Sequence, residues 1–272
     1  WGTCWSGGEP EFDGTVFKVT TGGVFDRVHA FSGGVDGSRP EGGLAFRPHD
    51  GLLYGTTSLG GAEDLGTIFS IDPATGELET MYDFSSATDS SVPMGQLTVA
   101  SDGLIYGALT HANPSFRSCG QVFRFDPEVP GAGISVVRGF LCSGDVTKFP
   151  RGGMVVHDGY LYGVTLGDTL PGREADQAVF RIDLATAGFE VLALIDTAET
   201  MWGDLVVADD GFIYAQSWGN GQSGGGAGSI FRVDPSDRSV SRVFVFGMDA
   251  APRKPFSVVE GANGEILVAT RS

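Results

Sequence analysis

The chain has 272 residues, 41% of them hydrophobic, with 34 acidic against 17 basic side chains and a formal net charge of −17 at pH 7. The length allows a sizeable core, and near-zero mean hydropathy with no apolar run approaching about 18 residues argues against a membrane-spanning helix. The charge disfavours nucleic acid and anionic membrane surfaces as partners, and 43 glycines without a long helical period point away from helices and toward an all-β chain rich in turns.

In chain order, Trp1–Ser6, Gly14–Thr20 and Val24–Phe31 read as three short strands. No Met and no charged-then-apolar leader stands before them, so the chain is expected to be processed or trimmed. The phrase GTVFKV at 14–19 then returns as GTIFSID, GQVFRFD, QAVFRID and GSIFRVD, anchored on Phe17, Phe69, Phe123, Phe180 and Phe231. Between these anchors a second phrase recurs: GGLAFRPHDGLLYGTT, GQLTVASDGLIYGALT, GGMVVHDGYLYGVT, GDLVVADDGFIYAQS and FSVVEGANGEILVAT. Each copy reads as strand, tight turn, strand, because a two-residue hairpin needs the positive φ that Asp-Gly or Asn-Gly supplies. After each Phe comes a turn of the DPATGE type and an alternating strand such as ELETMYDF.

Each unit is therefore four antiparallel strands, designated a to d. Anchors spaced 52, 54, 57 and 51 residues apart match the period of β-propeller blades. No blade can bury both faces alone, and neighbours supply the missing cover. The expectation is one propeller domain over residues 1–272. The strand count favours five blades, the ring closing where the C-terminal a–b pair (Ser257–Glu260, Glu265–Thr270) joins the N-terminal c–d pair in one blade. This leaves WGTCWS at 1–6 as a second candidate for the same b position. That segment sits elsewhere, or the natural chain is longer and the ring has six blades.

The stretch GTVFKV…FSGGVDGSRPEGGLAF…GLLYGTTSLGGA resembles the GloVer-type tandem repeat, found in secreted bacterial and some fungal proteins. The resemblance runs over nearly the whole chain and is strongest over residues 14–84. It implies a propeller scaffold and no single activity. Cysteine usage fits a secreted or extracytoplasmic location: Cys119 opens one predicted strand and Cys142 closes the next, so a disulfide across that hairpin is expected, with Cys4 left over.

The b–c and d–a loops are long and irregular, whereas the a–b and c–d turns are short. Sites favour variable loops on a rigid scaffold, so the long-loop face is the expected site face. Basic and acidic residues divide about evenly between the two faces. None of the four tryptophans falls on the short-turn side. The rim positions before strand a are Glu41, Met94, Arg151, Trp202 and Pro255, and the ends of strand b add His111, Trp218 and Arg271. The expected pocket lies at the channel mouth, with Trp202, Trp218, Glu41, Met94, Trp5 and Phe256 binding an organic or saccharide ligand and Arg151, Arg271 and His111 as catalytic candidates. The alternative for these aromatics is a set of hydrophobic lids.

His49 and His157 fall in a–b turns and His29 in an outer strand. No metal-ligand spacing, phosphate loop or nucleophile elbow is present, so neither a metal nor a cofactor is expected. Three functions are weighed, and the leading expectation is a cofactor-free cyclase of Diels–Alder type, in which the arginines polarise a carbonyl and Trp202 and Trp218 sandwich an apolar partner. Another is a lyase of uronate-containing glycans, with His111 or a tyrosine as base and Arg39, Arg151 or Arg253 neutralising the carboxylate. The third is a lectin-like or structural propeller. Divergent rim positions favour one asymmetric site over repeated equal ones.

Overall fold

The computed structural model of the chain describes residues 1–8, 13–87, 91–111, 118–129, 131–143, 147–166, 177–195, 200–218, 228–247 and 253–271; within these, the side chains of residues 91, 111, 202, 253, 254, 256 and 271 lie outside the description. Two compact units make up the chain, Trp1–Ser143 and Gly144–Ser272.

The first unit holds three sheets. β1 (Gly2–Cys4), β2 (Thr15–Val19) and β3 (Phe25–Ala30) form a three-stranded sheet. β4 (Ala45–Arg47), β5 (Leu52–Thr57), β6 (Thr67–Ile71) and β7 (Leu78–Asp83) form a four-stranded one. In the third, β8 (Ser91–Pro93) and β9 (Thr98–Val99) both pair with β10 (Ile105–His111), followed by β11 (Ser118–Phe125) and β12 (Ile134–Leu141). The second unit holds two four-stranded sheets and a pair. The sheets are β13 (Pro150–His157), β14 (Tyr160–Thr165), β15 (Gln177–Asp183) and β16 (Phe189–Ile195), then β17 (Thr200–Val207), β18 (Ile213–Trp218), β19 (Gly228–Val233) and β20 (Val240–Val245). The pair is β21 (Arg253–Glu260) and β22 (Ile266–Arg271). Every pairing between named strands is antiparallel, and each four-stranded sheet runs in chain order.

One register explains the repeated phrase. Each anchoring Phe stands opposite a small residue of the preceding strand: Gly2↔Phe17, Gly55↔Phe69, Gly107↔Phe123, Gly163↔Phe180 and Ala215↔Phe231. The ring lies across its partner's backbone, and a Cβ on Gly55 would come within 2.5 Å of Phe69 Cζ. The ladder to the last strand slips by one residue at the same Phe in all five sheets, between Val16 and Phe17, Ile68 and Phe69, Val122 and Phe123, Val179 and Phe180, and Ile230 and Phe231. Such bulges increase the local twist.

Successive sheets then pack face to face. In the first unit, Val16 and Phe31 cluster with Leu53, Phe69 and Ile71, while Tyr54, Ile68 and Phe84 cluster with Leu97, Ile105, Phe123 and Phe125. In the second unit, Tyr162, Val164 and Val179 meet Leu205, Ile213, Phe231 and Val233, and Ile230 and Phe246 carry Tyr214 and Val268. Cys119 and Cys142 form the expected disulfide, with Cα atoms 5.0 Å apart, and Cys4 is free and exposed.

The place beside β2, for which the sequence offers two candidates, has one occupant among the described residues. The N-terminal segment pairs directly with β2, as Gly2↔Phe17, Thr3↔Val16 and Cys4↔Thr15, so the position reserved for the C-terminal pair is taken. β21 and β22 form a separate two-stranded sheet. Gly2 leaves room for the Phe17 ring, a Cβ there coming within 2.7 Å of Phe17 Cζ.

Candidate functional site

The turns inside each sheet are tight. Gly51 N–H returns to Arg47 O at 2.9 Å, and Gly103 and Gly211 close equivalent turns onto Ala100 and Ala208 at 2.9 Å. At this end of the first unit Arg47 is buried, 2% exposed. Its Nε donates to Gly103 O at 2.8 Å, and its Nη1 donates to Asp50 Oδ2 at 2.5 Å and to Glu128 Oε1 at 2.8 Å. Tyr54 donates its hydroxyl proton to Asp50 Oδ2 at 2.8 Å. The cluster ties two sheets together, and every charge in it has a partner.

The opposite end is built differently. The first strand of each sheet is entered through a three-residue phrase with a Gly, and these phrases touch from sheet to sheet. A Cβ on Gly42 would come within 2.5 Å of Gly95 O, and Gly152 presses on Gly203 in the same way. The residue after that Gly varies: Gly43, Gln96, Gly153 and Asp204, with Ser257 in the last sheet. Gln96 Nε2 donates to Leu44 O of the neighbouring sheet at 3.0 Å. Asp204 accepts the Gly153 N–H at 2.8 Å on one oxygen and the Ser257 hydroxyl at 3.5 Å on the other. Its carboxyl is half-buried, and burial pushes its pKa above the ordinary value of 3.8 against the opposing pull of those two hydrogen bonds. Among the described residues no cation offsets that burial. A partly accessible acid with a raised pKa, set between one main-chain donor and one hydroxyl, is equipped to carry a proton.

A second feature sits in the approach to the same strands. Arg39, Val92 and Phe149 have φ of 57°, 66° and 58°, each immediately before a proline. Left-handed backbone in a non-glycine residue costs on the order of 1–3 kcal/mol. The carbonyls so turned accept hydrogen bonds from the chain leaving the second strand, Ser58 N–H to Arg39 O at 3.0 Å and Leu166 N–H to Phe149 O at 3.1 Å.

Of the residues singled out in the sequence, Arg151 is half-buried on β13 opposite Val164, two residues before the Gly153 that holds Asp204. Trp218 is half-buried and its indole N–H donates to Pro255 O on β21, which joins two sheets as a lid would. Glu41 is exposed and accepts the Ser58 hydroxyl at 3.2 Å, Met94 is half-buried, and Trp5 is 54% exposed. The side chains of His111, Trp202, Phe256 and Arg271 lie outside the described residues. Arg39 is among the arginines read from the sequence as able to neutralise a uronate carboxylate, whereas Asp204 and the left-handed backbone at Arg39, Val92 and Phe149 are not read there. Their signals were the aligned series Gly43, Gln96, Gly153, Asp204, Ser257 and the recurring x-Pro-x-Gly of RPEG, VPMG and FPRG.

A family model described as the Gloeobacter/Verrucomicrobia repeat matches residues 1–170. Among solved structures, the chain is similar to the extracellular domain of a protein described as a one-component system from B. thetaiotaomicron, with TM-score 0.56 and 9% identity over 84% of this chain and 26% of that one. It is similar to TolB from Acinetobacter baumannii, with TM-score 0.52 and 14% identity over 86% of this chain and 50% of that one. An oligogalacturonate lyase in complex with manganese gives TM-score 0.56 and 13% identity over 95% of this chain and 71% of that one. The chain thus spans a quarter and a half of the first two structures. At these identities the likeness is one of fold, a β-propeller repeat fold of antiparallel sheets. No curated protein matches the chain. Among the described residues no group of three or more His, Cys, Asp and Glu side chains could hold a metal ion.

Proposed function

We propose, from the premise that the chain belongs to the Gloeobacter/Verrucomicrobia repeat family, that it is a secreted propeller acting on uronate-containing glycans by β-elimination at one asymmetric site. The observation that carries this reading is Asp204, a half-buried acid at a position where the other sheets have Gly43, Gln96, Gly153 and Ser257. Holding neighbouring strands together needs no charge there, since Gln96 does it with a neutral amide. The disulfide and the likeness to an extracellular domain support the location, and the likeness to an oligogalacturonate lyase supports the substrate class.

In the proposed reaction the Asp204 carboxylate takes the proton from C5 of the uronate. The C4–O4 bond breaks, a C4=C5 double bond forms, and the proton is delivered to the departing glycosidic oxygen. Burial raises the basicity of the carboxylate toward the range that such a transfer needs. Arg151 neutralises the uronate carboxylate, which acidifies the C5 proton. Nothing among the described residues favours cyclisation of two unsaturated partners: Trp218 commits its indole N–H to Pro255 O, and the Trp202 side chain lies outside them.

The test is incubation with polygalacturonate, reading the ultraviolet absorbance of the unsaturated uronate. Wild type should generate it, and Asp204→Asn should lose about 10²–10⁴-fold in rate while binding the polymer with similar affinity. Binding without any turnover would replace this reading with a lectin-like one.

A further inference from the structure

Three equivalent loops lead into first strands with the same backbone device: Ser38-Arg39-Pro40-Glu41-Gly42, Ser91-Val92-Pro93-Met94-Gly95 and Lys148-Phe149-Pro150-Arg151-Gly152. The second residue of each has φ between 57° and 66°. Glycine adopts this conformation without steric cost, and asparagine or aspartate tolerates it best among the rest. The chain uses none of these. It places an arginine, a β-branched valine and a phenylalanine, three side chains with nothing chemical in common.

The conformation itself has a visible cause in the main chain. Arg39 N–H donates to Asp13 O at 2.7 Å, and Arg39 O accepts the Ser58 N–H at 3.0 Å and the Ser58 hydroxyl at 3.2 Å. Ser38 reinforces the same seat, its hydroxyl donating to Asp13 Oδ1 at 2.6 Å. A glycine would make both main-chain contacts equally well, so they account for the φ of Arg39 and not for its side chain. That side chain is exposed, and its guanidinium makes no hydrogen bond or ion pair with any described residue. In a chain of net charge −17, a cation with no carboxylate partner among the described residues, on a backbone held from both sides, is a seat for an anion from outside.

We propose that Arg39 is a substrate-binding residue whose guanidinium holds the carboxylate of an acidic sugar. The guanidinium fork matches a carboxylate with two parallel N–H···O bonds, which a lysine cannot reproduce. Strain at Arg39 fixes where the fork starts. Val92 and Phe149, on the same backbone, give the equivalent loops apolar side chains, so carboxylate recognition belongs to one loop of the three. The inference rests on the uronate reading for its ligand class, but it concerns residues 38–58 and no part of the Asp204 site.

The test uses the whole chain with Arg39→Gly and Arg39→Lys, a galacturonate oligosaccharide and its carboxyl-reduced counterpart. Titration calorimetry gives affinity, and thermal unfolding is followed alongside. Arg39→Gly should melt at or above the wild-type temperature, because glycine relieves the left-handed strain, yet bind the acidic oligosaccharide about tenfold more weakly. Arg39→Lys should recover only part of that loss, and the carboxyl-reduced sugar should be indifferent to all three. An unchanged affinity in Arg39→Gly overturns the proposal, and if Asp204→Asn still abolishes cleavage, only the Arg39 assignment falls. A lowered melting temperature with equal losses for both sugars makes Arg39 structural and also overturns it. If wild type neither binds nor cleaves the acidic sugar, the uronate reading falls and this inference falls with it.

Discussion

Arg47 in the first unit and Asp204 in the second are both charged residues removed from water, and they are treated in opposite ways. Arg47 is surrounded by Asp50, Glu128 and a main-chain carbonyl, so each donor used in the cluster finds an acceptor. Asp204 has a main-chain N–H and a serine hydroxyl, and no cation among the described residues. Accordingly burial lowers the affinity of Arg47 for its proton, but its hydrogen bonds to Asp50 and Glu128 more than reverse that, whereas at Asp204 burial prevails over the hydrogen bonds. A charge neutralised by its own fold is a joint. A charge left with neutral donors is held at a cost, and the proposed function gives that cost a use.

The contrast breaks most visibly at the joint. Arg47→Ala removes the cation from two carboxylates and one carbonyl and should destabilise the protein by about 3 kcal/mol, read as a lower urea midpoint with an unchanged slope. An unshifted midpoint would mean that the cluster is not a joint at all. Opening the disulfide by Cys119→Ala with Cys142→Ala should cost about 3 kcal/mol for a separation of 23 residues, with both proton-handling and cleavage left intact. A fall in cleavage rate larger than the fall in folded fraction would tie the hairpin to the site.

The smallest effect, and the one that sharpens the comparison, is in pH. Burial pushes the Asp50 carboxyl up, but the Leu52 N–H, the Tyr54 hydroxyl and Arg47 outweigh it and hold it below its ordinary 3.8. Its contribution is therefore present above that value and lost as pH falls through the lowered folded pKa. Asp204 has the opposite sign. Its folded pKa is raised, so its contribution is fully present below 3.8 and lost as pH rises through the folded value. Asp204→Asn should abolish the second slope, keep the first, and leave stability at neutral pH unchanged or higher. The measurement is the urea midpoint of both proteins across the acid range.

Much of this arrangement was legible in the residues. The recurring Phe, the small residue opposite it, the tight turns and the Cys119–Cys142 bridge all follow from short-range pattern and spacing. The partner of β2 was not: the sequence offers two candidates for that place, and only the register Gly2↔Phe17 shows β1 in it. Asp204 was hidden for another reason. In WGDLVV it reads as one polar residue next to a conspicuous tryptophan, and its character comes from Gly153 and Ser257, which lie 51 and 53 residues away in the chain. Trp218 shows the converse. Its size drew attention in the sequence, and the fold uses its indole N–H to bridge two strands. Arg39 reads in the sequence as one of three arginines able to meet a uronate carboxylate, but its left-handed backbone becomes visible only as an angle.

The account stands on Asp204 as the group that moves the proton. The most direct measurement is the pH dependence of polygalacturonate cleavage set beside the titration of the Asp204 carboxyl, followed by carbon NMR in the same protein. The account predicts that the rate falls on the acid side with an inflection at the Asp204 pKa, above the ordinary carboxylate range, and that Asp204→Asn removes both the inflection and the activity. Cleavage that persists in Asp204→Asn with an unaltered profile would contradict it.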